Sequence, residues 1–132
     1  MSENHDGSAH HPTERVVGGT TVVELRGEID LLTASPLSAR LDTLTSRPRP
    51  DLVLDLRPVS FIDCSGLSVL CRARNRILAG HGRLRLVVDS DRLLRVLRLA
   101  RLADAFEILP HLPGPLVRVP VPEADVVPSA RD

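Results

Sequence analysis

Two short, strongly apolar segments limit the possible folds of this chain more than any other feature. Leu52-Val53-Leu54 is continuous rather than alternating, and Leu84 to Val88, apolar except for Arg85, reads as another buried strand. That pattern belongs to strands buried on both faces, which occur in parallel sheets. Between and after them lie segments with helical spacing. One begins near Asp63, runs to about Ala79 and is closed by Gly80 and Gly82. Another is capped by Ser90 or Asp91 and carries Leu93, Leu94, Leu97 and Leu99. Parallel strands need crossover connections, so the helices are expected to cover the sheet.

The flanking segments extend the pattern. Arg15-Val16-Val17 and Thr20 to Leu25 surround Gly18-Gly19, which reads as a hairpin turn. Gly27-Glu28-Ile29-Asp30 reads as a loop. Thr33 is the expected cap of a helix with Pro36 in its first turn, where proline is tolerated. Leu37, Leu41 and Leu44 form its buried stripe, and Arg47-Pro48-Arg49-Pro50 ends it. A turn around Leu102 to Ala105 leads to a last strand at Phe106 to Leu109. The expected order is β-β-α-β-α-β-α-β: an α/β fold, a single domain over residues 14–109, with a mostly parallel sheet and an N-terminal hairpin strand. Residues 1–13 are polar and read as a disordered leader. Residues 110–132 hold six of the eleven prolines and read as an extended tail, partly packed at most.

Composition narrows the function. The 132 residues carry no formal net charge, which argues against a nucleic-acid or membrane partner held by bulk charge. Phe61 and Phe106 are the only aromatic residues, so surfaces for base stacking are lacking. Nine arginines and only two acids, Asp89 and Asp91, lie between Arg72 and Arg101. They read first as the solvated face of two helices and second as a docking face for an acidic partner. Cys64 and Cys71 fall two turns, roughly 10 Å, apart on one helix, too far for a disulfide. Neither has zinc-site spacing. No apolar run reaches membrane-spanning length and no secretory signal is visible, so a reducing cytoplasm is the expected location.

The most informative stretch runs from Asp51 to Ile77. A buried strand enters a loop, and the loop turns into a helix at Asp63, whose carboxylate suits an N-cap. Ser65 then lies in the first helical turn beside Gly66, with its hydroxyl expected to be exposed. A phosphate there would add about −1.5 to −2 charges. A helix start tolerates that charge, while Asp63 and Asp30 would oppose it. On local physics alone, Ser65 reads first as an ordinary helix-start serine and second as a switch.

The elements Gly27-Glu28-Ile29-Asp30, Leu52-Val53-Leu54-Asp55-Leu56 and Phe61-Ile62-Asp63-Cys64-Ser65-Gly66-Leu67 together resemble the STAS domain of anti-anti-sigma factors. Gly82 to Val87 and Leu97-Arg98-Leu99-Ala100 fit the same pattern, so the resemblance covers roughly Val16 to Leu109. It implies a sheet wound as a βα superhelix, with a phosphorylatable serine at the second helix's start, here Ser65. It also implies partner switching. The unphosphorylated protein binds an anti-sigma factor, itself a serine kinase with a histidine-kinase-like ATP domain, and the sigma factor is released. Phosphorylation ends the complex and a phosphatase restores it. The implied contact surface gathers Asp30, Asp63, Cys64, Ser65, Gly66, Leu67, Ser68 and Arg72. ATP and magnesium belong to the kinase, so this chain is expected to need no cofactor or metal and to act as ligand and substrate rather than catalyst.

Cys64 stands where many relatives carry Ser or Thr, which favours Ser65 as acceptor and puts a thiol at a helix start. Cys71 is expected to pack in the core with Leu67, Leu70 and Leu78. The alternative function is a STAS scaffold that binds without phosphorylation, in a signalling or lipid-transport complex. An enzyme is disfavoured, because Ser65 has no base near it in sequence and the core's only histidine, His81, lies at the far end of the helix. Direct nucleic-acid or membrane binding is not expected, and self-association stays open between a monomer and a weak homodimer.

Overall fold

The computed structural model describes residues 12–117. Strand β1 (Thr13–Val17) turns through Gly18 and Gly19 into β2 (Thr20–Glu24), and the two pair antiparallel. Both glycines have positive φ, 57° and 90°, a requirement of the tight hairpin turn that side chains resist. Next come β3 (Gly27–Ile29), α1 (Leu31–Leu44), β4 (Asp51–Asp55), β5 (Val59–Ile62), α2 (Cys64–Ala79), β6 (Arg83–Val87), α3 (Asp91–Leu99) and β7 (Glu107–Leu109). The main sheet has the order β1-β2-β4-β6-β7, and every pairing except the hairpin is parallel. The expected α/β fold with a mostly parallel sheet is therefore observed.

Differences from the expected elements are local. The segment read as a loop at Gly27 to Ile29 is a short strand that pairs parallel with β5 in a separate two-stranded sheet. The cap of α1 is Asp30 rather than Thr33. Its carboxylate accepts from the Leu32 and Thr33 amides, while the Thr33 hydroxyl accepts from the Asp30 amide at 2.9 Å, closing a capping box. The helix thus starts earlier, and Pro36 sits in its second turn.

Each face of the sheet is covered differently. Leu52, Leu54, Leu84 and Leu86 face the helices, packing with Leu41 of α1, Leu70 and Ile77 of α2, and Leu97 of α3. Val22, Val53 and Val87 point to the opposite face, where Leu112 and Leu116 cover them. No helix residue joins this second cluster. The chain beyond Leu109 therefore completes the burial of β4, and the Arg15 guanidinium donates to the Leu116 carbonyl. The segment read as an extended tail, partly packed at most, thus contributes two buried leucines. The remainder of the proline-rich end and the expected leader, apart from Pro12 and Thr13, lie outside the described residues.

At the end of α2, Gly80 caps but has negative φ; the left-handed residue is His81, at 60°. On α3, Ser90 is the cap, and Leu99 is 77% exposed rather than part of the buried stripe. No helix among the described residues is long and apolar enough to cross a membrane.

Candidate functional site

The small β3–β5 sheet sets two helix starts side by side. Ile29 is in register with Ile62, so Asp30 and Asp63 follow at equivalent places, each capping the helix it precedes. The Asp63 amide donates to the Ile29 carbonyl at 3.2 Å and ties the two starts together. One Asp63 carboxylate oxygen accepts from the Ser65 amide at 2.8 Å and the Gly66 amide at 3.1 Å. A Cβ on Gly66 would lie 2.5 Å from Ile62 Cγ1 and 2.7 Å from the Ile29 carbonyl oxygen. Gly66 is therefore buried and sets how closely α2 approaches β3; it offers no surface of its own.

The other expected site residues separate by position. Cys64 and Ser68 are exposed, one turn apart on the outer face of α2. Ser65 is half-buried, where an exposed hydroxyl had been expected. Arg72 and Arg76 follow it at seven and eleven residues, on the same side of the helix. That side faces α1: Arg72 Nε and Nη2 donate to Asp42 at 2.9 Å, and Arg76 Nε donates to the Thr45 hydroxyl at 3.0 Å. The Arg72 hydrogen bonds hold the Asp42 carboxyl below its ordinary range. Arg72 thus belongs to the α1–α2 contact, two turns from the helix start.

Cys71 does not enter the core as expected. With Cys64, Leu67 and Ser68 it lines a broad open groove bounded by Ala100 and Leu102 at the end of α3. Leu70 is buried, whereas Leu78 is 52% exposed. Both thiols are free.

Two residues missing from the expected surface stand out. Leu31 and Leu32, the first two residues of α1, are 75% and 84% exposed. Their sequence signal was the spacing of Asp30 and Thr33: with Asp30 as the cap, both leucines fall in a first turn clear of the buried stripe. Together with Asp30, Asp63, Cys64, Ser65 and Ser68 they form a surface of apolar and acidic groups around two helix starts. Such a surface suits protein contact, since exposed leucines lose water on binding and the carboxylates favour an oriented approach. Among the described residues, no three His, Cys, Asp or Glu side chains gather as a metal site.

Comparison with known proteins gives concordant results. The family model described as "STAS domain" matches residues 11–113. An anti-sigma-B factor antagonist of Listeria monocytogenes is 34% identical over 82 residues, covering 62% of this chain and 72% of the relative. The crystal structure of an anti-sigma factor antagonist from Mycobacterium paratuberculosis superposes with a TM-score of 0.72 at 27% identity, covering 80% of this chain and 90% of that one. An anti-sigma-factor antagonist (STAS) domain protein from Planctomyces limnophilus shares the fold at 17% identity, with a TM-score of 0.68 over 76% of this chain and 91% of that one.

Proposed function

The chain belongs to the STAS domain family, the family of the anti-sigma factor antagonists, and from that premise we propose that it binds an anti-sigma factor through the paired starts of α1 and α2. The observation that carries this reading is the exposed Leu31 and Leu32 beside the capped start of α2. In this reading the anti-sigma factor is a serine kinase with a histidine-kinase-like ATP domain, and binding frees its sigma factor in the cytoplasm. Phosphorylation of Ser65 ends the complex, and a phosphatase reverses it. The chain is ligand and substrate, with no catalytic part.

The local chemistry supports such a block. Asp63 already occupies the Ser65 and Gly66 amides that would otherwise cradle an anion. A phosphate on Ser65 would meet a carboxylate rather than free donors, so its charge would turn outward against the docked partner. Because Ser65 is half-buried, the kinase must reach it along the α1-facing side of α2.

A second reading has an observation of its own. The most accessible position at the start of α2 carries Cys64, which has no hydroxyl, while Ser65 is partly covered. That arrangement favours a STAS module that binds its partner without phosphorylation.

One experiment separates the two. The full chain is incubated with the anti-sigma kinase and ATP, and phosphate is located by mass spectrometry while complex formation is followed. Phosphate on Ser65, with release of wild type and retention of Ser65→Ala, supports the switch. A stable complex with no phosphate on Ser65 supports the second reading. Absence of any complex, or binding unchanged in a Leu31→Ala, Leu32→Ala double variant, would overturn the docking surface itself.

A further inference from the structure

The nine arginines between Arg72 and Arg101 divide sharply by partner. Arg72 and Arg76 pair with Asp42, Arg83 with Glu107, and Arg85 with Asp51. Arg74 donates to the Ala105 carbonyl at 2.6 Å. Arg92, Arg95, Arg98 and Arg101 remain, all exposed, and none pairs with an acid among the described residues. All four lie on α3 or its immediate end.

Helical spacing shows what they share. Leu93 and Leu97 mark the buried side of α3. Arg95 points opposite to it, flanked by Arg92 and Leu99 on one side and Arg98 on the other. Asp91, in the first turn, is the one acid on this helix. Leu99 is 77% exposed, an apolar residue set among guanidinium groups. The helix then ends on Arg101 with φ 62°. The Leu102 amide donates to the Leu97 carbonyl at 2.8 Å across that residue, a closure in which glycine is the unstrained choice. An arginine held there adds a fourth cation at the cost of backbone strain.

We propose that the outer face of α3 (Arg92, Arg95, Leu99, Arg98 and Arg101) is a second docking surface, for an acidic protein segment that also presents an apolar side chain to Leu99. Charge complementarity identifies the occupant. Guanidinium groups with no acidic partner among the described residues can bind carboxylates in bidentate geometry, and an apolar centre within a charged rim is the usual anatomy of a protein contact. Four arginines on a chain of zero net charge fall short of the roughly 6–10 phosphate contacts that typify a strongly salt-dependent nucleic-acid site. A single leucine is too little apolar surface to hold a helix in a lipid interface. This surface is independent of the helix starts and of Ser65.

The test uses the full chain and a defined probe, a fluorescent helical peptide of about 16 residues with glutamates around a leucine stripe. Anisotropy is measured at about 50 and 200 mM salt, with a duplex of about 20 base pairs and phosphatidylglycerol vesicles as competitors. Peptide binding that falls at least roughly tenfold in Arg92→Glu/Arg95→Glu/Arg98→Glu, and several-fold in Leu99→Ala, supports the proposal. The neutral Arg95→Gln/Arg98→Gln variant should lose an intermediate amount, and it keeps the test decisive if the charge-reversed chain misfolds. Arg47→Glu/Arg49→Glu removes two other exposed arginines and should change binding less than about twofold. Equal losses in that control, no binding of the peptide, or tighter binding of the duplex or the vesicles would each overturn the assignment. No kinase or ATP enters this measurement, so its failure leaves the reading of the helix starts untouched.

Discussion

At Gly66 a single added methyl group would have to enter space already filled by Ile62 and by the Ile29 carbonyl. Neither neighbour can yield easily: Ile62 is buried, and the carbonyl belongs to the β3 backbone. Gly66→Ala is therefore expected to lower stability by about 1–3 kcal/mol, read as a shift in the urea midpoint. It should also disturb the amides of Ser65 and Asp63 in an NMR spectrum before it touches α3, because it pries apart the two helix starts. A change in the opposite direction is expected at His81. Its φ of 60° costs a side chain energy that glycine does not incur, so His81→Gly should raise stability by roughly 0.5–1 kcal/mol, offset in part by the freer unfolded chain. A midpoint lower than wild type would show that the imidazole makes a compensating contact.

At the scale of elements, α1 and α2 are joined by Asp42, whose carboxylate accepts from Arg72 and forms an ion pair with Arg76. Hydrogen bonding to Arg72 lowers the Asp42 pKa from its ordinary 3.8. Bonding to Arg40 and to Arg83 lowers Glu14 and Glu107 from 4.5. Carboxylates held below their unfolded values bind fewer protons folded than unfolded. Their contribution is thus fully present above about pH 5 and is lost as pH falls through 4.5 and 3.8 and below the folded values. Unfolding midpoints measured from pH 7 to 3 should fall with acid, and Asp42→Asn should make that fall shallower. These pairs are solvent-exposed, so about 0.5 M salt should also shrink the difference.

The same elements show what the sequence could and could not reveal. The span of α2 was legible, because an aspartate cap and a closing glycine bracket a helical stripe. Strands β3 and β5 were not, being three and four residues long and paired only with each other across α1. Without β3, Gly66 reads only as the neighbour of Ser65 and a member of the implied contact surface, and the close approach that buries it was invisible. Ser65 was correctly placed in the first turn, but its partial burial depends on which side of α2 meets α1. That contact is made between residues some thirty positions apart. The arginine run was legible as a cluster, yet which of its members pair with an acid among the described residues needed the positions of Asp42, Asp51 and Glu107.

Over the whole molecule, the asymmetry of the sheet gives the chain beyond Leu109 a structural task. Three helices cover one face, and among the described residues Leu112 and Leu116, with Val17 beside them, pack on Val22, Val53 and Val87 on the other. Prolines at 110, 113 and 115 prevent a regular α-helix there, and the segment instead makes a single 3-10 turn at Gly114–Leu116 as it crosses the sheet. Both leucines are almost fully buried, at 7% and 5% exposure. Truncating either to alanine removes apolar contact and leaves space that a short, proline-stiffened segment is poorly able to refill. Leu112→Ala and Leu116→Ala are each expected to cost about 2–3 kcal/mol, near the lower end for a buried leucine because one side of the segment faces solvent. Together they should expose the valine face, a contiguous apolar patch on a sheet whose other face stays packed. The double variant should therefore keep its helical circular dichroism at pH 7 while binding a hydrophobic dye and associating as concentration rises. If instead it melts no earlier than wild type and binds no dye, the segment is an ornament on a sheet that is stable without it. The helices would then supply the stability of this fold alone.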